Sequence, residues 1–211
     1  AVFLLLTGCL ISLLSLHGPE PAVQYFQLPE AEFTAESTPE WMRSRVLRIE
    51  NFTAHDKYDD RFYRQLPEGQ VDLQDSARWV EAPETLVTQA VFRALLSAGM
   101  FGHVVDGRSP VEADLRLTGH VLTFEQDLSG ERPEAVFVLS AALTHSLSGD
   151  GGAGGAADAV VWRRVLRRRC PMRDRSSGAF VEAVGRCVEQ AMQTVISEFE
   201  AMPEPRRSAP K

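Results

Sequence analysis

From residue 135 to residue 147 the chain alternates: Ala135, Phe137, Leu139, Ala141, Leu143, His145 and Leu147 share one parity. A period of two over so long a run is a β-strand that buries one face. A helix does not reproduce it, because its apolar positions recur every three or four residues. A sheet with one buried face needs a covering layer, and two segments have the pattern to supply it.

In Ala82 to Ala98, Leu86, Val87, Ala90, Val91, Ala94, Leu95 and Ala98 form one stripe at helical period. Pro83 stands in the first turn, where its missing N–H is harmless, and Gly99 follows the end. In Ser176 to Met202 the stripe is Phe180, Val184, Cys187, Val188, Ala191, Val195 and Phe199, with Ser176 or Ser177 as cap and Pro203 as stop.

The remaining strands are shorter or less regular. Gln24 to Leu28 is stopped by Pro29, and Ser44 to Phe52 alternates imperfectly. Arg61–Gln65 and Gln70–Asp75 flank Leu66-Pro67-Glu68-Gly69, a hairpin signal. Ala113 to Leu128 shifts phase near Gly119-His120, which suggests a bulge, and Ala159 to Arg169 is the third strand of a meander. Residues 29–43 read as an acidic, irregular surface excursion, and Gly149 to Gly155 as a flexible hairpin loop. At 211 residues and 23.4 kDa the chain suits one domain. The expected class is α+β: an antiparallel sheet with two amphipathic helices packed on one face.

Residues 1–16 (AVFLLLTGCLISLLSL) carry no charge. As a helix they span about 24 Å, short of the roughly 30 Å hydrocarbon core, and fit an export signal better than a spanning helix. Leu6-Thr7-Gly8-Cys9 resembles a bacterial lipobox, which makes Cys9 the expected lipidation site; an ordinary signal or short anchor is the other reading. Residues 17–23 form a proline-bearing tether, 24–202 the folded body and 203–211 a disordered tail.

The formal charge of −7 argues against a nucleic-acid partner. Three cysteines cannot build a four-cysteine metal site. His17, His55, His103, His120 and His145 lack the paired spacing of metal ligands, and no Gly-x-Ser-x-Gly occurs. The glycine run lacks the Gly-Lys-Ser/Thr ending of a phosphate cradle. Asp59, Asp60, Glu125 and Asp127 read as solvated carboxylates. No catalytic residue, cofactor site or metal site is assigned, and the chain is not expected to be an enzyme. Arg163, Arg164, Arg167, Arg168 and Arg169 crowd one strand. Alternation points Arg163, Arg167 and Arg169 one way and Arg164 and Arg168 the other. They read as a charged edge strand that resists aggregation, or as a site for anionic lipid headgroups or an acidic partner. Cys170 and Cys187 could be bridged across about 17 residues or stand as two separate buried thiols.

The order of short motifs resembles the ABC-type transport auxiliary lipoproteins, the family of the lipoprotein of the paraquat-inducible (Pqi) intermembrane transport system. The possible lipobox is followed by Tyr25-Phe26-Gln27-Leu28-Pro29, Val46-Leu47-Arg48-Ile49, Asp60-Arg61-Phe62-Tyr63-Arg64 and Trp79-Val80-Glu81-Ala82-Pro83 before an amphipathic helix. The likeness spans roughly residues 9–200. It implies a periplasmic domain lipid-anchored to the outer membrane, with an Mce-type substrate-binding protein, an ABC permease complex and membrane lipid as partners. Homo-oligomerisation is also implied. Arg61, Tyr63, Arg64 and Trp79 match family motifs and are read first as fold determinants and second as partner contacts. The runner-up function is an outer-membrane assembly lipoprotein that chaperones an outer-membrane protein or lipopolysaccharide; a periplasmic enzyme ranks below it. The resemblance makes one direct prediction. Intact mass should show a diacylglyceryl adduct at Cys9, with the protein in the outer-membrane fraction, and a Cys9→Ser variant should lose both. An unmodified Cys9 would end the lipoprotein reading.

Overall fold

A computed structural model describes residues 22–145 and 159–205. The export segment with Cys9, the tether as far as Pro21, the glycine-rich connection 149–155 and the end of the 203–211 tail lie outside the described residues. The described elements are β1 (Gln24–Phe26), α1 (Glu40–Arg43), β2 (Val46–Ile49), β3 (Thr53–Ala54), β4 (Arg61–Gln65), β5 (Val71–Trp79), α2 (Pro83–Ala98), β6 (His103–Asp106), β7 (Leu115–Asp127), β8 (Glu134–His145), β9 (Ala159–Pro171) and α3 (Ser177–Glu200).

The class is α+β in one domain, but the sheet is mixed rather than wholly antiparallel. β7, β8 and β9 form the antiparallel meander. The other edge of β7 receives three short strands in succession, all parallel to it: β2 at Leu115–Leu117, β3 at His120–Val121 and β4 at Gln126–Asp127. β6 joins β2 in parallel, β5 joins β4 antiparallel and β1 joins β5 in parallel. Side-chain alternation is the same in both orientations, so it could not reveal the parallel pairs.

Both long helices cover one face and touch each other. Gly99 ends α2 in the left-handed conformation at φ 66°, and the Ser176 hydroxyl caps α3 by accepting from the Ala179 N–H. The β7 bulge lies between Val121 and Thr123, so Leu115, Leu117 and Val121 face the helices before it and Phe124 and Gln126 after it. The sequence pattern broke earlier because Gly119 occupies an inward position with no side chain of its own. The Phe52 ring fills that place: a Cβ on Gly119 would lie 2.5 Å from it.

The acidic segment after β1 is not a free excursion. Leu28 is buried, Glu30 lies 3.7 Å from Arg93 of α2, and the Phe33 N–H donates to Ser97. Further on, the Glu36 and Ser37 N–H groups donate to Glu200 of α3. The segment is a strap laid across both helices. Cys170 at the end of β9 is disulfide-bonded to Cys187 of α3, with Cα atoms 5.8 Å apart.

A Gly119→Val variant must displace the Phe52 ring and should lose about 1–3 kcal/mol of stability. Chemical denaturation checks this, and an unchanged midpoint would show that the ring is not held there.

Candidate functional site

The residues singled out by sequence fall into two groups. Arg61, Tyr63 and Arg64 lie on β4 and Trp79 ends β5, whereas Arg163, Arg164, Arg167 and Arg168 lie on β9. β7 and β8 separate β4 from β9, roughly 14 Å at ordinary strand spacing, so the structure does not bring the two groups into one site.

The first group is built into the fold. Trp79 is 1% exposed, with its ring centroid 4.4 Å from Phe62, 5.2 Å from Phe124 and 5.8 Å from Phe180. A ring so enclosed cannot touch a partner, and the contact reading of Trp79 is corrected to a core role. Three acid–arginine pairs fasten the surrounding hairpin: Asp59–Arg61 at 2.7 Å, Asp60–Arg78 at 3.0 Å, and Arg64–Asp72. The hydrogen bond from Arg61 holds the Asp59 carboxyl below its ordinary range.

Tyr63 belongs to a cluster that sequence reading missed. Lys57 Nζ sits 4.6 Å from the Tyr63 ring centroid, 4.8 Å from that of Tyr58 and 3.2 Å from Glu125 Oε2. The Tyr58 hydroxyl donates to the same oxygen at 3.2 Å and accepts from the Phe124 N–H at 3.0 Å. Burial pushes Tyr58 up to about 12; the Glu125 charge adds to this, and the Phe124 N–H and Lys57 oppose it. Burial pulls Lys57 down, yet the Tyr58 and Glu125 interactions outweigh it and leave its pKa above the ordinary value. An ammonium kept charged is not a nucleophile. The cluster clips the loop before β4 onto β7, and Glu125, at 9% exposure, is a buried, partnered carboxylate rather than a solvated one. Lys57 was the available signal: with Lys211 it is one of only two lysines among 22 basic residues.

On β9 the alternation sorts the arginines by face. Arg164 bonds Glu198 at 2.9 Å, and Arg168 donates to Thr194 at 2.6 Å and to the Gln190 carbonyl, all on α3. On the open face Arg169 bridges Asp127 at 2.5 Å and Glu134 at 2.8 Å. Burial raises the Asp127 pKa, but hydrogen bonds from Ser129 and Arg169 outweigh it and hold the carboxyl below its usual range. Arg163 and Arg167, beside Val165 at 46% exposure, are exposed and have no carboxylate within 4.0 Å among the described residues.

Among the described residues no group of three or more His, Cys, Asp or Glu side chains could hold a metal, and no helix is long and apolar enough to cross a membrane. A cleft of about 640 Å³ opens beside α2, and no residue of either arginine group lines it.

A family model described as the ABC-type transport auxiliary lipoprotein component matches residues 26–196. A crystal structure of a Xanthomonas campestris protein, described as DUF330, superposes with a TM-score of 0.71 at 18% identity, covering 85% of this chain and 96% of that one. Another, of a protein described as uncharacterized, gives 0.62 at 17% identity, covering 84% and 98%. At such identities the likeness is one of fold. A search of curated proteins finds no match.

The Asp127–Arg169 pair predicts a pH dependence. A carboxyl with a lowered folded pKa contributes stability above its unfolded pKa, near 3.9, and loses it as pH falls through the folded value. Arg169→Met should therefore cost about 1 kcal/mol at neutral pH, with the gap from wild type closing below about pH 4. Urea denaturation at several pH values reads this; a gap independent of pH would refute it.

Proposed function

Since the chain belongs to the family of ABC-type transport auxiliary lipoprotein components, we propose that it is a non-enzymatic, exported accessory of an ABC/Mce-type system that moves lipid between the two bacterial membranes. Cys9 carries the acyl anchor in the outer membrane, and the folded body 24–202 works at its periplasmic face. The protein acts by position: a tether raises the effective concentration of a docking surface near the membrane without new chemistry. The Mce-type substrate-binding protein and its permease complex are the partners, and copies of the chain associate with one another.

The observation that carries this reading is the open side of β9. Arg163 and Arg167 flank an exposed valine on a 13-residue edge strand. Two guanidiniums without a carboxylate, beside backbone groups without a strand partner among the described residues, suit an acidic strand or surface of a partner, which they would steer and orient.

Binding of the lipidated chain to a purified Mce-type partner tests it. Affinity should fall as salt rises. Arg163→Glu with Arg167→Glu should weaken binding about ten-fold or more while leaving the thermal melt unchanged, because both side chains are exposed. Undiminished affinity would remove β9 from the interface, and absence of wild-type binding would overturn the partnership.

A further inference from the structure

The parallel strands β2 and β6 end, at Ile49 and Asp106, where α2 begins, and the cleft of about 640 Å³ lies between them. Ligands enter parallel sheets at such places, beyond the carboxyl ends of strands, and the volume lies within the roughly 300–1,000 Å³ of small-molecule sites.

Its walls are fixed by the fold. Ile49 and Phe52 make the floor at 1% and 4% exposure, with Phe52 seated on Gly119. Thr88 Oγ1 accepts from the Phe52 N–H at 3.0 Å and donates to the Glu84 carbonyl at 2.7 Å, which ties floor to helix. Across the cleft, Arg48 donates to the carbonyls of Ser109 and Val111 and pins the turn that carries Arg108.

Both walls carry both signs. Glu81 and Glu84 stand at the start of α2 with Arg93 more than two turns further along the helix, and Asp106 and Arg108 line the cleft from the end of β6 and the turn after it. Gln89 donates to Glu81 at 2.6 Å, so that carboxylate is partly satisfied. Glu84 is not: its Oε2 is buried and accepts no hydrogen bond from the described residues. A buried carboxylate oxygen without a donor is costly, and Glu84 is one of the residues that line the cavity. Two carboxylates at the end of α2 oppose the anion that a helix N-terminus otherwise attracts, so this end suits a cation with N–H donors. Arg108 has no carboxylate within 4.0 Å among the described residues, and a guanidinium suits an oxyanion in bidentate geometry. The aromatic floor between them suits methylenes.

We infer that this cleft binds a zwitterion in which a primary ammonium and an oxyanion are joined by a short aliphatic link, the ammonium donating to Glu84 and the oxyanion facing Arg108. A phosphoethanolamine unit has this chemistry, whether as a free solute or as a lipid headgroup. The inference stands apart from the β9 docking surface.

Calorimetric titration of the full chain, held in nonionic detergent, tests it in two arms. One uses free phosphoethanolamine against phosphocholine; the other uses phosphatidylethanolamine against phosphatidylcholine, each in mixed micelles of the same detergent. Saturable binding of the primary ammonium compound is expected in at least one arm. It should weaken roughly ten-fold or more on quaternary substitution, on Glu84→Gln and on Arg108→Ala. Binding of the free compound identifies a solute, and binding of the lipid micelles alone identifies a lipid headgroup; either supports the assignment. Equal affinity for the quaternary compound, indifference to both substitutions in variants whose melts match wild type, or no binding in either arm would overturn it. Arg163→Glu with Arg167→Glu should leave the titration unchanged, which separates failure here from failure of the partner-docking reading.

Discussion

The backbone of β7 has two edges to satisfy over 13 residues, and the architecture follows from how it does so. Unpaired backbone groups at the centre of a sheet are expensive to bury. β8 pairs with β7 along nearly its whole length. The other edge is closed piecemeal, by β2, β3 and β4 in turn. β2 and β4 each bring neighbours of their own while β3 pairs with β7 alone, so the sheet splits lengthwise into a β2–β6 arm and a β4–β5–β1 arm held in register by one long strand. The bulge between Val121 and Thr123 changes which side chains face the helices and lets one strand serve both arms.

Junctions between the arms carry the unusual contacts. Phe52 lies on Gly119 where β2 gives way to β3, and Lys57, Tyr58 and Glu125 close the gap before β4. The first contact is apolar and needs a missing Cβ; the second pairs an exposed lysine with a buried carboxylate and is completed by a phenol. Both stand where loops leave β7, where backbone pairing alone leaves a gap. The strap over α2 and α3 and the Cys170–Cys187 bond between β9 and α3 fasten the helical layer to the sheet. A helical layer fastened to the sheet at both of its helices suits an adaptor that works by position. The proposed docking edge and the proposed ligand cleft share no residue, so one can be occupied without filling the other.

Much of the candidate surface was legible residue by residue. Alternation alone sorted the β9 arginines into two sets, Arg164 and Arg168 against Arg163, Arg167 and Arg169, because a strand's side-chain period does not depend on its partners; the contacts to α3 identify the first set as the helix side. It could not say that Glu198 and Asp127 would occupy Arg164 and Arg169 and leave Arg163 and Arg167 without a carboxylate among the described residues, since those acids come from distant segments. Trp79 could be read as core or as contact, and only the convergence of Phe62, Phe124 and Phe180 around it decides for core. The cleft left no local mark, because Phe52, Glu84 and Arg108 come from three separate stretches of chain.

What the sequence determined by itself is the longer elements and their buried faces: the meander strands, the two amphipathic helices with Pro83 and Gly99 at the ends of the first and Ser176 or Ser177 capping the second, and the α+β class. These depend on periodicity and capping, which act within a few residues. Tertiary structure alone decided the parallel pairing of β2, β3 and β4 along β7, the strap, the Lys57–Glu125 clip and the cleft. Each joins residues far apart in sequence, and backbone hydrogen bonding, burial and charge neutralisation select such partners only once the chain has closed on itself.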